Sequence, residues 1–382
     1  MEEKIIKRGR PSGSKNKPKG LKNDFRTIKL EKQIENSPIT KKNTMWNIVN
    51  WGVKNDYPLR LLDLYNSSPT HHSCINYSVR AIVGGGVDYD QMELQEQPNA
   101  NTDWNTFIQS LALDFMLYGS FAIQIIKNRN NTTFSYYHMP FEKVRLGQYN
   151  EDGLISKFYV SQDWTEPVKY QPETFENALG TTNYKVGVKY LYVYSCYSPT
   201  SNYYPTPQYI AAIESIQAEA SYQNFDYKHI TNGFTSSGIL QLPPVETEAE
   251  KEEIIRNIQN MFIGSDNANA LLIQFSNGLG ENQIIYTPFT QDNTADDYAN
   301  ANERVINRIL SAHNIPNRAL IGMPDINNAF NSEAAMLEAS HKLYLTLVGE
   351  QNRNVIVDTV NKLFEMNGIN EKLILKPLSF ID

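Results

Sequence analysis

The residues best equipped for chemistry in this chain are cations near its start. Lys7, Arg8, Gly9, Arg10 and Pro11 follow one another, with Lys15, Lys17 and Lys19 close behind. Two arginines flanking a glycine can lie extended in the narrow, strongly negative minor groove of A·T-rich DNA, while the lysines neutralise phosphates. The same composition also describes a solvated tail that attracts any polyanion, an acidic protein surface included. Catalysis has no comparable signal. There is no Ser/His/Asp or Cys/His arrangement, no paired-carboxylate motif and no metal-ligand spacing. His71 and His72 are adjacent and so cannot share a helical face, and His138, His229, His313 and His341 are scattered; all are read as surface or interface residues. Gly84, Gly85 and Gly86 lack the Lys-Ser/Thr that a phosphate loop needs. No catalytic residue, metal or cofactor is expected.

Charge is divided along the chain. Residues 1–43 hold 13 Lys/Arg against 5 Asp/Glu, leaving 22 against 37 in the rest of the 35 and 42, so a basic arm of net +8 joins an acidic body of net −15. The 382 residues allow two or three packed modules. Cys74 and Cys196 are the sole cysteines, too few for a disulfide framework, which suits a reducing compartment. No apolar run reaches a membrane span and no secretory signal opens the chain.

The elements that must carry any site are legible in patches. A folded body is expected to begin near Trp46. Pro58 starts a helix, and Ser68 with Pro69 starts a second that runs through Val83 to a glycine stop. Asp103 caps a helix to Tyr118 with Phe107, Leu111, Phe115 and Met116 inward. Alternating β-branched and aromatic runs at 121–127, 133–139, 143–149, 155–160 and 189–195 predict a mixed sheet. Its aromatics, which have acidic companions, are read as core and interface rather than as a base-stacking platform. The spacing of Tyr209, Ile213, Ile216 and Ala220 predicts a helix over 207–230, about 24 residues or ~36 Å long. A βαββ unit follows: a strand at 238–242, a helix to Phe262 opened by the capping box of Thr247 and Glu250, and strands at 270–275 and 283–287. A last amphipathic helix runs from Ala295 to Ala312, with Asp292, Asp296 and Asp297 at its start and Arg304 and Arg308 toward its end, as the helix dipole favours.

Two stretches, Tyr204–Phe234 and residues 314–335, resemble the portal proteins of tailed bacteriophages. Asn232-Gly233-Phe234 before Gly238-Ile239-Leu240 is similar to the family's passage from a long helix into its first clip strand. Ile315-Pro316, Leu320-Ile321-Gly322 and Asn331-Ser332-Glu333 are similar to its step after the second long helix. The resemblance spans roughly 46–382 and implies an α+β fold. Its parts would be a basic arm (1–43), an α+β wing (44–204), stem helix 1 (205–232), a small clip (233–290), stem helix 2 (291–314), a tunnel loop (315–330), and a tunnel helix with return to the wing (331–382). The chain stops soon after LILKPLSF, so little or no crown is expected.

What the resemblance implies for function is a ring of about a dozen identical subunits at a capsid vertex. Double-stranded DNA would pass through it during packaging and ejection. The large terminase and a head-completion or connector protein would dock on it, and the major capsid or scaffold protein would surround it. Location would be the virion, after assembly in the host cytoplasm, with no membrane involved. By carry-over, Arg318, Asn327 and Asn328 would contact DNA from the tunnel loop, and Glu246, Glu248, Glu250 and Lys251 of the clip would meet docking partners. Lys7 to Pro11 resembles an AT-hook, which leaves an alternative open: a DNA-associated architectural or adaptor protein acting through its basic arm.

Overall fold

The computed structural model describes residues 40–43, 45–90, 97–130, 133–179, 181, 183–199, 201–232, 238–245, 247–262, 271–275, 284–288, 295–323 and 334–378. Residues 225–292 form a small unit, and the described residues from Thr40 to Asn224 and from Ala295 onward form a larger one.

The first described element lies a few residues before the Trp46 at which the sequence pattern places the start of the folded body. Thr40–Asn43 (β1) pairs antiparallel with Ile48–Trp51 (β2), so residues 40–43 are a strand and not part of an arm ending at 43. The cause lies in β2: Ile48, Val49 and Trp51 are buried, their backbone groups need partners, and a Lys-bearing edge strand supplies them.

Three helices follow, Tyr57–Ser67 (α1), Pro69–Val83 (α2) and Trp104–Tyr118 (α3), with Pro58, Ser68 and Asp103 at the starts predicted for them. Gly119, left-handed at φ 72°, closes α3. The chain then enters a mixed sheet made of Ser120–Lys127 (β3), Phe134–Met139 (β4), Val144–Leu146 (β5), Lys157–Val160 (β6), Glu173–Asn177 (β7) and Tyr190–Ser195 (β8). The spatial order is β4-β3-β8-β7-β6-β5; β7 and β8 run parallel and the other pairs antiparallel. Strand β7 escapes sequence reading because Glu-Thr-Phe-Glu-Asn buries one apolar side chain, Phe175, and shows no alternation.

The core joins these layers. Trp51 stacks on Tyr204 at 4.6 Å between centroids and meets Phe141 edge-on at 5.6 Å. Beside them Arg145 is fully buried, and it directs its donors at Asn55 Oδ1 (2.6 Å), Asn55 O (2.8 Å), Glu142 O (2.9 Å) and Val144 O (2.8 Å). Burial lowers its pKa to about 10, so the cation persists at neutral pH, held by carbonyl dipoles.

The long helix Ile213–Asn232 (α4) starts six residues later than the predicted 207, after a 3₁₀ turn at Ile210–Ala212. Pro205 and Pro207 bias the residues before them toward extended backbone, and the Tyr209 hydroxyl, donating to Leu117 O at 2.7 Å, anchors the turn.

Within the small unit, Gly238–Leu242 (β9), Glu248–Phe262 (α5), Leu271–Phe275 (β10) and Ile285–Pro288 (β11) form the predicted βαββ arrangement, in strand order β10-β9-β11. Strand β10 is parallel to β9 across the α5 crossover, and β11 is antiparallel to it.

The larger unit resumes with Ala295–Ala312 (α6), as predicted. Asn314 at φ 55° ends it. The tunnel helix expected within 331–382 is divided into Ala334–Tyr344 (α7), a π-helical turn Leu345–Gly349, and Glu350–Met366 (α8). Gly349 suits the π turn, since a Cβ there would come within 2.9 Å of Leu345 Cδ2.

Candidate functional site

Helix α2 opens on Ser68, whose side chain accepts from His71 N, but it carries no acidic residue in its first turn. The missing negative charge comes from α4. Glu219, buried, accepts from Ser68 Oγ, from Thr70 Oγ1 at 2.5 Å and from Thr70 N at 3.3 Å. A carboxylate over exposed N–H groups is what the positive end of a helix favours.

The other end of α2 is met by a cation from α8. Arg353 donates from Nε to Ile82 O at 2.8 Å and from Nη2 to Ala81 O at 3.1 Å, two of the carbonyls that lack intrahelical partners. Gly84 makes this possible: it sits at φ 64°, and a Cβ there would collide with Arg353 Nη2 and the Lys376 carbonyl. The returning chain is sealed to the same turn by Gly85 N to Lys376 O (3.0 Å) and Lys376 N to Gly86 O (2.8 Å).

Between its ends α2 presents a polar row to two more helices. His71 Nδ1 lies 2.9 Å from Nε2 of His313, just past the end of α6. The Tyr77 hydroxyl lies 2.8 Å from His341 Nδ1, and the Tyr344 hydroxyl donates to Ser78 Oγ at 2.7 Å, both partners being on α7. Helix α2 is thus a hub bonded to α4, α6, α7 and α8. Burial holds His71, His313 and His341 below the ordinary imidazole range, His313 at about 3; the adjacent His313 deepens the shift of His71, and Arg353 that of His341. These three are core residues, correcting their sequence reading as surface or interface histidines: the polar row of α2 gives each a partner, so burial costs little.

Arg318 stands beside the hub on a short 3₁₀ turn, Arg318–Ile321, closed by Gly322 at φ 81°. Its guanidinium is turned back on α6, bonding Glu303 and Asn307, the latter at 3.2 Å. With Leu310, Pro316, Met336, Ser340 and Leu343 it lines an open groove of about 710 Å³ between α6 and α7. Asn327 and Asn328 lie outside the described residues, as do Lys7, Arg8, Gly9, Arg10, Pro11 and Glu246.

Glu248 and Glu250 occupy the exposed first turn of α5 in the small unit. The Thr247–Glu250 capping box forms reciprocally at 3.3 Å, and Lys251 pairs with Glu248 at 3.1 Å. Among the described residues no cluster of His, Cys, Asp and Glu is arranged to hold a metal ion, and no helix is long and apolar enough to cross a membrane.

The hub residues Glu219, Arg353, His71, His313 and His341 escape sequence reading. A weak signal exists in α2, whose Ser-Pro-Thr start has no acid to serve the helix dipole, but nothing in the chain says that Glu219 lies 149 residues from Thr70 in sequence and touches it.

The sequence profile described as phage portal protein matches residues 84–346, a span that includes most of α2's partners and both long helices around the small unit. The chain belongs to the phage portal protein family. Solved structures agree on the fold. A chain from the virion of a native gene transfer agent particle is 14% identical at a TM-score of 0.55, with 84% of this chain and 83% of that one covered. A chain from the neck of an empty particle of that kind, computed with C6 symmetry, is 13% identical at 0.56, with 84% of each covered. One from the neck of a native particle, computed with C12 symmetry, is 14% identical at 0.53, with 83% and 84% covered. No curated protein matches by sequence. The α+β class expected from the sequence is the class observed, and the family is a structural one.

Proposed function

We propose that this portal-family chain forms a ring of subunits at the vertex of a phage head or gene transfer agent particle and that double-stranded DNA passes through it. The observation that carries the reading is the family match over 84–346, which spans α4, the βαββ unit and α6. The C12 symmetry used for a neck containing a chain of the same fold supports a ring of about twelve.

In this reading β1 to β8 with α1 to α3 form the wing, α4 and α6 the stem helices, and β9 to β11 with α5 the clip. The polypeptide after α6 is the tunnel loop, with α7 and α8 behind it. The terminase motor and a connector protein dock at the clip, where Glu246, Glu248, Glu250 and Lys251 offer a mixed-charge surface. The capsid or scaffold protein contacts the rim, and assembly takes place in the host cytoplasm.

Duplex DNA carries one charge per ~1.7 Å of axis, so a strongly basic passage would hold it fast. An acidic body of net −15 repels DNA weakly and lets it slide. Asn327 and Asn328 make transient polar contacts in the channel. Arg318, neutralised by Glu303, contributes mainly to the shape of the loop's base. The basic arm, Lys7 to Pro11 at its centre, holds DNA or an acidic capsid surface.

Native mass spectrometry with negative-stain microscopy of the purified chain tests the reading. A closed ring of about a dozen copies with an axial hole is the expected result. A monomer or dimer at high concentration would overturn it.

A further inference from the structure

The two helices between which residues 313–333 run are tied to one helix by histidines. His313, at the end of α6, bonds His71, and His341, within α7, bonds Tyr77; both partners lie on α2, and the three imidazoles are buried. We infer that this hub is a proton-sensitive joint, in which neutral histidines hold the end of α6 and the body of α7 to α2 and protonation releases both. The joint is a property of the single chain, beyond the ring proposed above and independent of it.

Hydrogen-bond logic shows why the proton matters. His71 Nε2 is buried without a hydrogen-bond partner, so a proton there would be stranded, and the neutral ring carries its proton on Nδ1. His71 therefore donates to His313 Nε2 across 2.9 Å. A proton taken up by His313 at Nε2 removes the accepting lone pair and sets two N–H groups against each other. At His341, Nδ1 and the Tyr77 hydroxyl share a hydrogen bond whose direction depends on the imidazole tautomer, and the hydroxyl keeps its proton because burial and then Tyr344 raise its pKa. A doubly protonated His341 can still donate to that hydroxyl, so there the penalty is a buried charge near the Arg353 cation.

The surroundings offer a new positive charge little help. The His71–His313 pair faces Tyr65 of α1, His72 of α2, and Tyr209, which lies 4.4 Å from His71 and 5.2 Å from His313 between centroids. Burial keeps the Cys74 thiol protonated. Glu219 of α4, the carboxylate at the start of α2, is committed to Ser68 and Thr70. His341 faces Tyr77 and the Arg353 cation, which opposes its charging.

The sign follows from linkage. Opened, each histidine titrates near its ordinary value of about 6.5; packed, it does so lower, so the joint is tight above about pH 6.5 and loosens as pH falls below it. Two pH units below that value, the open population rises about 100-fold for an opening that exposes His313, whose packed pKa is about 3.

Hydrogen–deuterium exchange of the full chain at pH 7.5 and 4.5, corrected for intrinsic exchange, tests the joint. At pH 4.5 the peptide covering 305–315 is expected to open about 100-fold more than at pH 7.5, and that covering 336–345 to open more as well, relative to β3 and β8, and H313Q/H341Q is expected to abolish the difference. An unchanged ratio in the wild type, or a pH response that survives in the double variant, overturns the inference. Should the variant fail to fold, imidazole C2-proton exchange in the wild type decides: midpoints for His71, His313 and His341 below the ordinary histidine value support the joint, and ordinary midpoints refute it. Ring formation, read by microscopy, is unaffected by either outcome.

Discussion

Glu219 and Arg353 are the two side chains on which the hub rests most visibly, because they complete the backbone of a helix to which neither belongs. Glu219→Gln keeps the shape but removes the charge that faces the start of α2, and is expected to cost about 1–2 kcal/mol in chemical denaturation. Combined with Ser68→Ala, the loss should be smaller than the sum, since both changes break one network. At the other end Gly84→Ala should cost more, about 2–3 kcal/mol, because a side chain at φ 64° meets Arg353 and Lys376 at once. The thiols provide a gentler probe. Cys74 is buried with its pKa pushed up by desolvation, and half-buried Cys196 is raised for the same reason. Iodoacetamide at pH 8 should therefore leave Cys74 unmodified in the native protein and label Cys196 slowly, with both labelled rapidly in denaturant. Mass spectrometry of the two cysteine peptides reads this directly.

Among the elements, what the sequence made legible follows from where the determining physics is local. Ser68, Asp103, Gly119 and the Thr247–Glu250 pair mark helix ends through contacts within a few residues, and the structure places α2, α3 and α5 accordingly. The periodicity of α6 fixed its bounds because Val305 and Ile309 bury one face. Elements set by distant partners were not legible: β7 exists because β6 and β8 flank it, β1 because β2 needs an edge, and the π turn at Leu345–Gly349 because α7 and α8 each keep their own bonds to α2. The hub failed to show for the same reason, since its bonds join residues 149 to 272 positions apart. The small unit allows a contained test. Thr247→Ala removes one half of an exposed capping box and should lower the protection of α5 amides by about 1 kcal/mol, with exchange in α2 and β3 unchanged. Loss of protection in both units would contradict the independence of their local structure.

For the whole molecule, the proposed function makes the chain a subunit whose work is done in multiple copies. In this account α2 is the fixed part of each copy, and the ends of α4, α6, α7 and α8 are registered against it, so residues 313–333 are presented from the same base in every subunit. The charge division along the chain then has a use: the acidic body suits a passage through which DNA slides, and the basic arm suits a surface that DNA or an acidic protein holds. Cryo-electron microscopy of the purified assembly tests this most directly, through where the map places that segment about the symmetry axis. The account predicts a closed ring of about twelve copies, with α2 packed inside each subunit and residues 313–333 facing the axial channel. A ring with that segment on its outer wall, or particles without a closed ring, would contradict it.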